Sequence, residues 1–365
     1  MKLSLQRETL LKPLQAVVGV VERRQTMPIL ANFLMSARDG RLSVTATDLE
    51  VELMASVDIA IDQDGDATLP GRKLLDICKA LPEGAKVSIT VDGERATVRS
   101  GRSRFTLATL PAAEFPVVES VNPVQTLTLS QKDTRRILDK THFAMAQQDV
   151  RYFLNGLLLE VDDNVLRAVA TDGHRLSLCE MAVPDASGTA QQVIVPRKGI
   201  IELQRLMRDD GDMVIAIGSN HVRVEVDDIR FTSKLIDGRF PEYERVIPRA
   251  ADTAVLADRM TLHHALQRTA ILSNEKYRGV RLLLEENVLT IQAHNPEQEE
   301  AEEQVEVDYT GESMEIGFNV NYLLDALGAV DTETVELGLA DANRSCLIQE
   351  PGADDCKFVV MPMRL

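Results

Sequence analysis

The feature that most constrains this 365-residue chain is a repeat written into it three times. The segments LSVTATD at 42–48, LRAVATD at 166–172 and LTIQAHN at 289–295 align, their leading leucines 124 and then 123 residues apart. Each alternates apolar with other positions (Leu42, Val44, Ala46; Leu166, Ala168, Ala170; Leu289, Ile291, Ala293) and ends on Asp or Asn. That is the pattern of a half-buried strand running into a turn. Three further segments keep the offset. An apolar strand recurs at 28–35, 151–159 and 278–284, and a strand entering a helix at 69–81, 195–206 and 318–327. A late strand recurs from Arg104, Arg230 and Lys357. Four segments in one order predict three tandem copies of a unit of about 120 residues. The copies should span 1–120, 126–247 and 250–365, with linkers at 116–126 and 247–255. Each reads as helix, strands, helix, strands, an α+β unit, with first helices over 7–20, 130–146 and 258–272.

The bulk numbers suit this division, since a chain this long exceeds one ordinary core. With no Trp and only 4% aromatics, the cores should be aliphatic. The first residues are too polar for a signal peptide, and no run of apolar residues is long enough for a membrane span. Cys78, Cys179, Cys346 and Cys356 form no C-x-x-C pair and read as reduced thiols of a cytoplasmic protein. The net charge of -17 argues against a tight basic grip on nucleic acid. Its distribution is uneven: residues 250–365 hold 8 Lys+Arg against 22 Asp+Glu, whereas the first two copies are nearly balanced.

Phosphate-binding and dinucleotide glycine motifs are absent. The most enzyme-like string is TDGHRL at 171–176, where Asp172 and His174 could form an acid–base pair. A repeat turn explains it better, because the other copies carry TDLE at 47–50 and HNPE at 294–297 in the same place. The run from Glu297 to Glu303, read as a strand, puts Glu297, Glu299 and Glu303 on one face and Glu300 and Glu302 on the other. Charge on both faces marks an exposed edge rather than a metal site. The matching late region of copy one is basic, with Arg95, Arg99, Arg102 and Arg104 beside an apolar stripe of Phe105 and Leu107. A basic edge and an acidic edge predict a contact made twice between two chains, closing a dimer.

With these motifs in hand, VPRKG at 195–199, DGRFP at 237–241, NPEQEEAEE at 295–303 and the terminal VMPMRL closely resemble the bacterial DNA polymerase III beta subunit family, the sliding clamps, along the whole chain. The resemblance implies three clamp domains with outer β-sheets and inner helices, forming half of a closed ring. It implies a head-to-tail homodimer around duplex DNA without sequence specificity, no catalysis, no cofactor and no metal. It implies as partners the polymerase III catalytic subunit, the clamp loader, and other polymerases and repair proteins carrying short clamp-binding peptides. Inner-face DNA contacts would fall on Arg24, Arg72, Lys132, Arg135, Arg136, Arg197, Lys198 and Arg205, joined by Gln148, Tyr152 and Phe153. The peptide cleft would use Arg151, Leu154, Thr171, Gly173, His174, Arg175 and Leu176. It would add Pro241, Arg245 and Val246, then Val359, Val360, Met361, Pro362, Met363 and Arg364. Lys73, Ile271 and Leu272 would join the charged edges at the dimer contact.

Overall fold

The computed structural model describes residues 1–21, 27–118, 121–184, 190–248 and 254–364. Among the described residues six α-helices alternate with strands: α1 (Arg7–Val17), α2 (Gly71–Ala80), α3 (Gln131–Asp139), α4 (Arg197–Leu206), α5 (Arg259–Thr269) and α6 (Val320–Ala329). Each copy thus supplies two. Pro13 lies inside α1 without ending it, because the stripe of Leu10, Pro13, Leu14 and Val17 is buried and holds the helix against its sheets. The expected extension of α3 to residue 146 does not occur. The Thr141 hydroxyl donates back to the Ile137 carbonyl (2.6 Å), and the chain closes into a 3-10 turn, His142–Ala144. Asp258 and Asn319 cap α5 and α6 by accepting from the amides of Thr261 and Asn321.

The chain forms two compact units, and their boundaries are not those of the repeat. One comprises residues 1–132 with 198–235, the other 133–197 with 236–365. The central copy is therefore shared between them. In the first unit an eight-stranded sheet runs from the central copy (Gln125–Ser130, Asp212–Ile217, His221–Val226, Ile229–Lys234) into the first (Val51–Asp58, Arg41–Thr47, Asn32–Arg38, Gly65–Pro70). The joint is the antiparallel ladder from Ile229↔Ala55 to Ser233↔Val51. A separate five-stranded sheet ends on Ser103–Ala108.

The second unit repeats the device. Its twelve-stranded sheet passes from the central copy's Arg175–Ala182 to the third copy's Cys356–Val360, pairing Arg175↔Val360 through Cys179↔Cys356. Continuing a ladder across a repeat boundary satisfies amides and carbonyls that would otherwise stand at open edges. The cores are mainly aliphatic, but the largest fully buried side chains are Phe33, Phe231, Phe318 and Phe358, so the few aromatics are spent at the centre. Among the described residues no helix is long and apolar enough to cross a membrane.

The expectation of four free thiols is corrected: Cys179 and Cys356 are joined as a disulfide, while Cys78 and Cys346 are free and buried. Their opposition in the ladder explains the bond, since directly paired residues of adjacent strands project from the same face. The strand expected over 297–303 is also corrected. Asn295 accepts the Glu299 amide (2.9 Å) in a turn that includes Pro296 and Gln298 (φ 65°), and the strand begins at Glu300.

Candidate functional site

The cleft residues all lie in the second unit and grow from one turn. Thr171 Oγ1 donates to the Arg175 carbonyl (2.6 Å) and accepts the Gly173 amide (3.1 Å). Asp172 Oδ1 accepts the amides of His174 (2.9 Å) and Arg175 (3.1 Å). The Asp172 carboxylate that suggested catalysis is thus committed, with the Thr171 hydroxyl, to folding the turn. Its carbonyl at His174 accepts the Met361 amide (2.9 Å), so the chain's last residues leave the sheet beside it. The Met363 amide then bonds the Gly317 carbonyl (2.8 Å).

The floor is apolar. Leu158, Val169, Leu176, Leu178, Phe240, Tyr243 and Val359 form one buried cluster, with Phe153, Ile236, Val246 and Ile247 packed partly exposed against it. Leu154, Val359 and Val360 are each 1% exposed and act as core, while Met361, Pro362 and Met363 are half-buried and His174, Pro241, Arg245 and Arg364 are exposed. A buried floor with an adaptable Met-lined lip suits short apolar peptides. Arg151 forms one wall. Its guanidinium holds Asp149 at 2.9 and 3.1 Å and reaches the Asp172 carbonyl (3.2 Å), and these bonds hold the Asp149 carboxyl down at about 2. Gly173 (φ 89°) makes room for it: a Cβ there would stand 2.9 Å from Arg151 Nη2.

Arg175 faces the protein interior. It donates to Asp172 (3.1 Å), to Asp325 on α6 and to the Phe143 carbonyl (2.7 Å). Its guanidinium carbon stands 4.5 Å from the Tyr322 ring centroid and 5.5 Å from that of Phe143. Sequence reasoning missed Phe143, Tyr322 and Asp325, since they meet Arg175 only through the fold. It also missed the support under the connector at 240–247, where the Tyr243 hydroxyl donates to Glu160 (3.0 Å) and Arg167 bridges Glu160 and Glu180. Burial beside that carboxylate pushes the Tyr243 hydroxyl pKa up. A concavity of about 900 Å³, lined by Tyr277, Arg281, His294, Glu300, Glu302 and the tail residues Met363 and Arg364, was not foreseen either.

The two charged edges are both present. Among the described residues Ser103–Ala108 pairs only with Arg95–Ser100, leaving its outer side open. Arg102 and Arg104 are exposed there, while Phe105 and Leu107 face inward. Lys73 is exposed on α2 of the same unit. In the third copy residues 300–306 pair on one side with Val288–His294; the neighbouring Ala254–Asp258 pairs only at Val307 and Asp308. Glu300 and Glu302 are exposed, Glu297 and Glu299 lie in the preceding turn, and Ile271 is 75% exposed next to half-buried Leu272. Glu303 is already engaged by Arg268 at 2.6 and 2.8 Å, which lowers its pKa.

The cations expected to meet DNA are less uniform. Arg24 lies outside the described residues. Lys132 and Arg72 are exposed, and Arg72 donates to the Val21 carbonyl. Arg205 is exposed and bonds Glu202 (2.6 Å). Arg135 approaches Asp139 (3.7 Å), Arg136 bonds Asp355 (2.6 Å), and Lys198 pairs with buried Asp48. Arg197 is half-buried, donates to the Met145 carbonyl (3.4 Å), and has its pKa lowered by burial. Gln148 (φ 58°), Tyr152 and Phe153 sit on the loop that carries Arg151, with Tyr152 59% exposed.

Three α+β copies in tandem, with an apolar cleft, two open strand edges and turn-committed polar groups, define a tandem-repeat binding protein. Models of the DNA polymerase III beta subunit match the chain in order: the N-terminal domain over residues 1–119, the central domain over 128–242 and the C-terminal domain over 244–364. The beta sliding clamp of Pseudomonas putida (strain KT2440) is 57% identical over 367 residues, and that of Escherichia coli (strain K12) is 51% identical over 368, each comparison covering 100% of both chains. The crystal structure of the DNA polymerase III subunit beta from Pseudomonas aeruginosa matches with a TM-score of 0.98 and 54% identity over 100% of both chains. The chain belongs to the DNA polymerase III beta subunit family, the sliding clamps. It is accordingly a non-catalytic processivity subunit of DNA replication.

Proposed function

We propose that two copies of this chain close head to tail into a ring around duplex DNA, the Ser103–Ala108 edge of each meeting the edge at 300–306 of the other. The complementarity of the two open edges carries this reading: Arg102 and Arg104 stand at one, with Arg95 and Arg99 on the strand beside it, and Glu300 and Glu302 stand at the other, with Glu297 and Glu299 in the turn before it. Pairing them would complete both ladders and cover half-buried Phe105 and exposed Ile271. The chain's three domains, at 1–120, 126–247 and 250–365, then form half of the ring. A topological link needs no tight grip. Phosphate contacts from Arg24, Arg72, Lys132 and Arg205 suffice, and few strong ones keep sliding fast. Arg136, Arg197 and Lys198 contribute field more than contacts, since each is bonded across the fold, whereas Arg135, 3.7 Å from exposed Asp139, adds a further contact.

The cleft around Leu176, Val246, Met361 and Met363 receives peptides of the polymerase III catalytic subunit, the clamp loader, and other polymerases and repair proteins, in the cytoplasm. Met361, Pro362 and Met363 support this, since they are half-buried and the Met361 and Met363 amides are hydrogen-bonded, which holds an apolar lip beside the floor. Loading onto nicked circular DNA followed by linearisation tests the ring: the clamp should be retained on circles and lost from linear ends. Equal retention on both forms would sink the proposal.

A further inference from the structure

We propose that the Cys179–Cys356 disulfide is a reversible redox-modification site: the structure holds its oxidised form, and its reduced thiols are re-oxidised by a peroxide or a small-molecule disulfide to a covalent staple between the central and third copies. The pair occupies the last rung of the five-rung ladder that joins the copies, with 4.1 Å between the two Cα atoms and a sequence separation of 177. Arg175, Ser177 and Cys179 alternate onto the face towards α3. There Ser177 Oγ donates to the Lys140 carbonyl, and Arg136 on α3 bonds the Asp355 carboxylate (2.6 Å) and reaches Cys356 Sγ (3.8 Å). Asp355 Oδ2 itself is 3.9 Å from that sulfur. The guanidinium and the carboxylate thus both face the Cys356 sulfur, as a paired cation and anion.

With peroxide the step balances. The Cys356 sulfur takes one oxygen, becoming a sulfenic acid and releasing one water. The Cys179 thiol then attacks that sulfur and expels a second water, leaving a disulfide, so that the thiols lose two electrons and the peroxide gains them. A small disulfide reaches the same product by thiol exchange, releasing two small thiols. Metal capture is the competing chemistry, because the two sulfurs and the Asp355 carboxylate lie within 4.8 Å of one another. Arg136 already neutralises that carboxylate, so a second cation would stand against a fixed one. All four cysteines are buried, so position in the ladder decides: Cys179 and Cys356 face one another, whereas Cys346 pairs with Val360 and Cys78 lies on α2. The inference does not depend on ring closure. It concerns a joint whose opposite end is the cleft turn at His174 and Met361.

The experiment uses the full chain, fully reduced and then exposed to hydrogen peroxide or glutathione disulfide. Blocking of free thiols and non-reducing peptide mass spectrometry should show two thiols lost and one linked peptide pair containing Cys179 and Cys356. The oxidised chain should melt on the order of 5 °C higher than the reduced chain, reversibly with dithiothreitol. The shift should vanish in Cys356→Ser and in Cys179→Ser. The reduced parent is the folding reference, so a poorly folding variant leaves the test intact. Four thiols surviving oxidant, links through Cys78 or Cys346, links between copies, or protection of the pair by added zinc would each overturn the proposal.

Discussion

The chain joins its copies twice by the same device, yet only one joint carries a cleft. In both, a Thr–Asp turn opens a strand that pairs with a strand of the next copy. Thr47 and Asp48 bond the turn before Val51–Asp58 as Thr171 and Asp172 bond the turn before Arg175–Ala182. The Lys234 amide donates to Glu50 (2.8 Å) where the Met361 amide donates to His174 (2.9 Å). The difference lies in what fills the joint. Glu52 stands where the second joint has Leu176, and its carboxylate takes the amide of Val118 (3.0 Å), so the connector seals the first joint. Leu176 leaves an apolar floor. Leu49 (φ 79°) stands where Gly173 admits Arg151. Beyond Lys234 the chain continues into a connector, whereas Met361, Pro362 and Met363 stay half-buried beside the cleft turn. The two occurrences of the joint share one scaffold and differ in a handful of side chains.

The sharpest test removes the matched aromatics. Phe231→Ala and Phe358→Ala, each at a fully buried joint position, should both cost about 3–5 kcal/mol in denaturant melts. Only Phe358→Ala should also weaken binding of a clamp-binding peptide; equal effects on binding would erase the distinction between joints. Deleting residues 361–365 should lower peptide affinity by about 100-fold or more while the dimer persists, as fluorescence anisotropy and sedimentation would show. Surviving affinity would mean the cleft is misplaced.

The proposed contact between copies would be a third joint of the same kind. Reversing Arg102 and Arg104 to Glu should weaken dimerisation by about 10- to 100-fold by placing like charges against Glu299, Glu300 and Glu302. An unchanged dimer in sedimentation would refute the charge argument. A smaller effect is expected from Gly173→Ala, which should lose about 1–2 kcal/mol of stability for its left-handed backbone and displace Arg151. Leu49→Gly, at the sister position, should stay within about 1 kcal/mol of the parent.

The weakest effect is a pH response of opposite sign at the two joints. Burial raises the Glu52 pKa, so the folded state holds that proton more tightly than the unfolded chain. Its contribution is present below the ordinary carboxylate pKa and is lost as pH rises through the raised value. Asp149, lowered to about 2, contributes above the ordinary Asp pKa and loses that contribution as pH falls through about 2. Glu52→Gln should therefore flatten the decline in first-unit stability above about pH 4.5. Denaturant melts at several pH values would reveal an unaltered slope if the assignment is wrong.

The strands and turns were legible because period-two alternation ending on Asp48, Asp172 and Asn295 survives divergence. The turn within the acidic run was legible in principle, since Asn295 and Pro296 are turn residues, but the run of glutamates masked it. The cleft was legible only as a set of motif positions. That Arg175 turns inward to Tyr322 and Phe143, and that Cys179 meets Cys356, depends on register between strands far apart in the chain, which local pattern does not encode. That Lys198 pairs with Asp48 and Arg136 with Asp355 was not legible, because charge is visible in a sequence and its partner is not.

The sharing of the central copy between two compact units has a genetic consequence. Sequence period and mechanical part are out of phase by half a repeat, like courses of bricks whose vertical joints never align. A break at a repeat boundary severs a ladder instead of freeing a module, so an excised central copy would present two raw strand edges. Shuffling, losing or gaining one copy is correspondingly difficult, and a chain built this way holds its copy number by the bonding pattern itself.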